Sequence, residues 1–186
     1  RDLHRVDRRQ RQMCLRDRHG FVYCPGSINL RPFRSLKLST FEEDLNINFL
    51  SMVKSLQKVI NNLKKSGNAS VVLFSTVAVK VGMPFHTSVS ASKGAIEGFA
   101  RSLAAEYAPL LRVNVIAPSL TDTPMAQRFL NNDLKKEKVG DKHPLKRHGN
   151  ANDIANSVVH LLSDNSSWIT GQTFGVDGGM SSINLS

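Results

Sequence analysis

Short continuous apolar runs alternate with stretches that are apolar every third or fourth residue, from residue 21 to the C-terminus. The runs, closed by turn residues, predict buried parallel strands. The 3.6-residue period predicts helices with one inward face. Residues 21–24 are such a run, ended by Pro25-Gly26. Leu45, Phe49, Met52, Leu56, Ile60 and Leu63 then recur at helical spacing and predict one long helix. Thr40 and Glu43 stand in capping-box order at its start, and Gly67 is its predicted stop. Residues 71–75 predict a second strand, 88–108 an Ala- and Gly-rich helix, and 111–117 a third strand closed by Pro118. Residues 123–138 read as a short helical region. Asn150 with Asp153 predicts a capped helix to about Leu162. Residues 172–176 are the last strand, closed by Asp177-Gly178-Gly179.

Strand and helix alternate throughout, which predicts an α/β fold with a parallel sheet, right-handed crossovers and helices on both faces. At 186 residues the chain suits one domain with a sizeable core. The predicted division is 21–186 as that domain and 1–20 as a basic tail, disordered or unrelated to the domain behind it. Residues 1–20 hold seven arginines, three aspartates and no serine, which suits neither the domain nor a mitochondrial leader.

The net charge is +10, enough to raise nucleic acid as a partner. Much of it lies in the tail, and the rest spreads over helix faces such as Lys54, Lys58, Lys64 and Lys65. No basic stripe is interleaved with stacking aromatics, so the reading is against a nucleic-acid site. No apolar run reaches membrane-spanning length. Cys14 and Cys24 are too few for a disulfide framework, and no secretory segment is visible, so a cytoplasmic location is expected. No metal-ligand set is read.

Several spaced motifs together carry a resemblance. Tyr23-Cys24-Pro25-Gly26 forms a turn after the first strand. Asn48 lies mid-helix. Ser75-Thr76 follows the second strand, with Thr76 thirteen residues before Val89 and Val89 four before Lys93. Pro118-Ser119-Leu120-Thr121-Asp122-Thr123 follows the third strand. His143 to Arg147, Asn152 to Ala155, Trp168 to Gln172 and Val176 to Gly179 complete the order. This order resembles the C-terminal portion of the short-chain dehydrogenase/reductase family.

The resemblance implies a Rossmann-like fold, NAD or NADP as cofactor, and hydride transfer between nicotinamide and a carbonyl or alcohol. Asn48, Thr76 and Lys93 match three catalytic positions. Cys24, Pro25, Gly26, Lys93, Pro118, Ser119, Thr121 and Thr123 match positions that contact the cofactor. The family's acid/base tyrosine falls at Val89, which has no ionisable group. His86 could titrate in the useful range, but a plain loop histidine is the expected reading. The family's glycine-rich phosphate turn is not found before residue 21. At about 30 residues per βαβ unit, roughly 60–80 residues are expected to be missing, which predicts an N-terminally truncated domain. Loss of the tyrosine predicts weak or no turnover. The alternative is a non-catalytic oligomerisation or regulatory protein, or an inactive fragment. The resemblance also implies homo-oligomers through helices 40–65 and 88–108.

Overall fold

The computed structural model describes residues 19–184. The predicted tail 1–20 therefore lies, but for its last two residues, outside the described part. Four parallel strands form the main sheet in the order β1 (Gly20–Val22), β2 (Ala69–Phe74), β3 (Leu111–Pro118) and β6 (Thr173–Val176). A second pair, β4 (Thr121–Asp122) and β5 (Gly149–Asn150), lies beyond the end of β3. The helices are α1 (Leu38–Leu45), α2 (Ser51–Lys65), α3 (Val77–Val81), α4 (Thr87–Tyr107), α5 (Asp133–Asp141) and α6 (Ala151–Leu162).

Side chains alternate across the two central strands, as the pleat requires. Val71 pairs with Val113 and Leu73 with Val115. These four face Met52, Leu56 and Leu63 of α2 and Ile96, Ala100 and Ala104 of α4. Val72 and Ile116 point the other way, toward Leu161, Ile154 and Val158 of α6. Helices thus cover both faces, and the sheet reads as continuous apolar runs for that reason. Each large side chain buried here stabilises the fold by about 1.5–3 kcal/mol. Small residues on α4 let that helix lie close to the sheet.

Three expectations are corrected. The first strand starts at Gly20 and ends at Val22, so Tyr23 and Cys24 belong to the loop. The Thr40–Glu43 capping box does not form. The helix begins at Leu38, with Lys37 as N-cap and no side-chain cap bond. The preceding segment 33–35 is already coiled in a 3₁₀ turn, and Phe33 packs edge-on against Phe41 at 6.3 Å. That sets the helix start one turn earlier than Thr40. The long helix is also not uniform, for residues 46–50 widen into a π turn centred on Asn48. Other signals hold. Gly67, at φ 73°, follows the end of α2. Asn150 and Asp153 form a full capping box on α6. No helix among the described residues is long and apolar enough to cross a membrane.

Candidate active site

Lys93 sits on α4, one turn after Val89. Its ammonium donates to the Phe74 carbonyl, at the carboxyl end of β2, at 3.0 Å. Burial lowers its pKa from the usual 10.5 to about 8. Desolvation disfavours the charged form, and no carboxylate pairs with it among the described residues.

Gly26 is what lets the loop after β1 come close. A Cβ there would stand 3.2 Å from Asn48 Oδ1 and 3.5 Å from Lys93 Nζ. A side chain there would crowd Asn48 by a few tenths of an ångström, while its contact with Lys93 would be ordinary. Gly26, Asn48 and Lys93 therefore lie together in one cluster.

Asn48 is fully buried. Its Oδ1 accepts from the Ser27 amide at 2.9 Å. Its Nδ2 donates to Ser92 Oγ at 2.9 Å and to Ser27 Oγ at 3.2 Å. The side-chain amide is thus satisfied inside the protein. The widened turn that carries it is braced by Tyr23, whose hydroxyl donates to the Ile47 carbonyl at 3.1 Å.

Beneath this cluster lies a residue that sequence reasoning missed. Asp44, also fully buried, accepts from Ser27 Oγ at 2.5 Å, Asn29 Nδ2 at 2.8 Å and Ser88 Oγ at 2.6 Å. One carboxylate thereby ties the loop after Gly26 to α1 and to the start of α4. A buried charge is tolerated when hydrogen bonds replace its water. In the sequence Asp44 is one of three consecutive acids, and no periodicity marks it as inward. The Ser27-x-Asn29 pair was the available signal.

Thr76 caps α3, its Oγ1 accepting from the Ala78 amide at 3.3 Å. The hydroxyl proton stays available. Its neighbour Ser75 turns inward and donates to Glu97 at 2.5 Å. Val89 is buried, 4% exposed, and offers no titratable group. His86 is the N-cap residue of α4, and its Nδ1 is held by the Pro84 carbonyl at 2.7 Å, consistent with a loop histidine. Cys24 and Pro25 are exposed at the tip of the loop before Gly26.

Pro118, Ser119, Thr121 and Thr123 lie at and beyond the carboxyl end of β3. The two threonine hydroxyls are engaged locally. Thr121 donates to the Ser119 carbonyl at 3.0 Å, and Thr123 reaches the Thr121 carbonyl at 3.4 Å. Ser119 Oγ lies 2.8 Å from Nε2 of the buried His143. His143 Nδ1 donates to the Val139 carbonyl at 2.7 Å. Sequence reasoning saw His143 only as part of a terminal signature, whereas here it anchors α5 to the loop after β3. A cleft of about 170 Å³ opens beside it, bordered by Ser119, Thr121, Arg147 and Asp177. Both groups of residues sit at the carboxyl ends of the strands, where open α/β sheets hold ligands.

The family model described as Enoyl-(Acyl carrier protein) reductase matches residues 15–181. Glucose 1-dehydrogenase of Gluconobacter oxydans is 32% identical over 151 residues, covering 80% of this chain and 57% of that one. The protein named inactive 2-(S)-hydroxypropyl-CoM dehydrogenase 2 of Xanthobacter autotrophicus is 30% identical, over 88% of this chain and 74% of its own. The ligand-free aldohexose dehydrogenase of Thermoplasma acidophilum superposes with a TM-score of 0.85 at 27% identity, covering 91% of this chain and 70% of that one. The chain spans little more than half the length of several curated relatives it matches.

Proposed function

Because the chain belongs to the short-chain dehydrogenase/reductase family, we propose that its site serves NAD(P)-dependent hydride transfer between a nicotinamide and a carbonyl or alcohol, impaired here by Val89. The observation that carries this reading is the cluster of Gly26, Asn48 and Lys93 at the carboxyl end of β2. When bound, the nicotinamide supplies or accepts the hydride. Lys93 has three ammonium protons and spends one on Phe74, which leaves two for ribose hydroxyls. Gly26 leaves room for a ligand to approach the backbone. Thr76 retains a hydroxyl proton to orient a substrate oxygen. Asn48, its amide saturated, holds the loop and α4 in register. No side chain at position 89 moves the proton, and that loss costs roughly 10²–10⁴ in rate.

A second reading is a non-catalytic oligomerisation or regulatory partner. Val89 favours it. So do Leu45 and Leu50, apolar residues that are 38% and 40% exposed along the segment from α1 to α2. Pairing through that segment and α4 would cover them.

Fluorescence titration of the folded chain with NADH and with NADPH tests the first reading. Saturable micromolar binding, with slow reduction of carbonyl compounds, is the expected result. Folded protein that binds neither nucleotide would sink it. A stable homodimer by light scattering without nucleotide binding would favour the second.

A further inference from the structure

His143 is buried, 2% exposed, and borders the cleft beyond β3, yet the proposed hydride chemistry gives it no part. Its Nδ1 lies 2.7 Å from the Val139 carbonyl. A carbonyl only accepts, so the ring proton sits on Nδ1. The neutral ring therefore turns a lone pair at Nε2 toward Ser119 Oγ, 2.8 Å away, and the hydroxyl donates to it. The other neighbour of that hydroxyl, Met180 Sδ at 3.3 Å, is a weak acceptor and competes poorly.

Both partners are held in place by the backbone around them. The His143 amide donates to the Gly140 carbonyl at 2.9 Å, and the His143 carbonyl accepts from the Lys146 amide at 2.9 Å. The Leu145 amide donates to the Gly178 carbonyl at 3.1 Å, which ties this turn to the loop after β6. A Cβ on Gly178 would stand 3.5 Å from His143 Cδ2, so that loop closes one side of the ring. The Ser119 carbonyl accepts the Thr121 hydroxyl at 3.0 Å, which steadies the other partner. Hydroxyl, unprotonated ring nitrogen and orienting acceptor thus stand in line. That is the arrangement by which a base activates a weakly acidic hydroxyl.

Ser119 is half-buried and forms part of the cleft wall. Leu120, Leu145 and Val176 supply apolar lining. The cleft, about 170 Å³, is smaller than the roughly 300 Å³ at which pockets begin to take drug-sized ligands. It suits a short aliphatic group.

From the alignment of Ser119, His143 and the Val139 carbonyl at this cleft we propose that the chain carries a second, hydrolytic site for esters of short aliphatic acids. Ser119 Oγ bonds to the ester carbonyl carbon as its proton passes to His143 Nε2. The bond from that carbon to the alkoxy oxygen breaks, and the leaving alcohol takes the proton from Nε2. Water then attacks the acyl-serine, passing a proton to the same nitrogen, and the acid departs as Ser119 recovers its hydroxyl. No cofactor enters these steps, so the inference does not depend on the hydride-transfer reading.

The test treats the folded chain with an alkyl fluorophosphonate, which phosphonylates an activated serine with loss of fluoride, and with p-nitrophenyl butyrate. One phosphonyl group per chain is expected, located on Ser119 by peptide mass. Butyrate ester hydrolysis should vanish in Ser119→Ala. His143→Gln, its fold verified by circular dichroism, should slow labelling by roughly 10²–10⁴, the usual contribution of a general base. Ser119→Cys keeps a nucleophile beside His143 and should be acylated by the same ester. An unlabelled Ser119 in the folded chain overturns the proposal and leaves the pair as a structural link between α5 and the loop after β3. Labelling that is as fast in folded His143→Gln overturns it too. Hydrolysis unchanged in Ser119→Ala assigns the ester reaction to surface amines, with the same consequence. NADH titration reports separately on hydride transfer. Labelling of Ser119 without NADH binding keeps this inference and removes that one.

Discussion

Asn48 and Ser27 hold each other twice, the Ser27 amide donating to Asn48 Oδ1 at 2.9 Å and Asn48 Nδ2 donating to Ser27 Oγ at 3.2 Å. The Ser27 hydroxyl in turn donates a hydrogen bond to Asp44 Oδ1. The loop that carries Gly26 is therefore fastened to the helix behind it by a backbone and a side-chain bond from one residue. Ser27→Ala keeps the backbone bond and deletes the other two. It is expected to destabilise the fold by about 1–3 kcal/mol, because buried polar partners lose a bond each. Urea unfolding measures this, and an unchanged midpoint would refute it.

Asp44 is the larger lever. Asp44→Ala strands Ser27, Asn29 and Ser88 together, which is expected to cost about 2–4 kcal/mol, offset in part by removal of a buried charge. Ser88→Ala should cost less in the Asp44→Ala background than alone, since its partner has already gone. A double-mutant cycle should return a coupling of about 0.5–3 kcal/mol. Strict additivity would show that the Ser88–Asp44 bond contributes nothing.

Much of this was legible in the sequence, and the reasons are local. Val71 to Phe74, and Val113 with Val115 to Ala117, are apolar because both sheet faces are covered, so pattern located β2 and β3 despite the buried, hydrogen-bonded Asn114. Asn150 and Asp153 cap α6 through neighbours in the chain, and such signals survive folding. Gly26, Asn48 and Lys93 were singled out through the family resemblance of the motifs around them, and they lie together in the structure. The illegible part is tertiary. The capping order of Thr40 and Glu43 lost to a coil already set by residues 33–35. The π turn at Asn48 is sustained by bonds from Tyr23 and Ser27, more than twenty residues away. Asp44 is inward because three donors from two other segments converge on it. Sequence periodicity has no term for such convergence.

Lys93 makes the pH dependence predictable. The unfolded chain holds its proton up to about pH 10.5, whereas burial lets the folded chain hold it only to about 8. Between these values the unfolded state binds more protons, so this residue makes stability rise with pH. Below about 8 both states are charged and the full burial penalty applies. Lys93→Met is therefore expected to be more stable at pH 7 by up to about 3 kcal/mol, with the difference closing toward pH 10.5. Denaturation of both proteins across that range checks it. A difference that does not vary with pH would mean that Lys93 keeps its ordinary proton affinity.

Val89→Tyr restores an acid/base where the family carries one. A phenol on α4, one turn before Lys93, would share that helix face with the ammonium. A neighbouring cation favours phenolate, which draws the phenol toward useful pH. The site is small, though, since Val89 is 4% exposed and packed. Forcing a larger ring into it is expected to cost about 1–3 kcal/mol of stability. Turnover of a carbonyl substrate with its nicotinamide cofactor should nonetheless rise by roughly 10²–10⁴ over the unaltered chain. The matched control is Val89→Phe, which adds the ring without the hydroxyl and should share the stability loss but not the gain. A pH profile separates the two cases, because only the tyrosine variant should acquire a titration governed by the phenol. Equal rates for the Tyr and Phe variants, with both folded and both binding nucleotide, would mean that position 89 is not where this chain handles the proton.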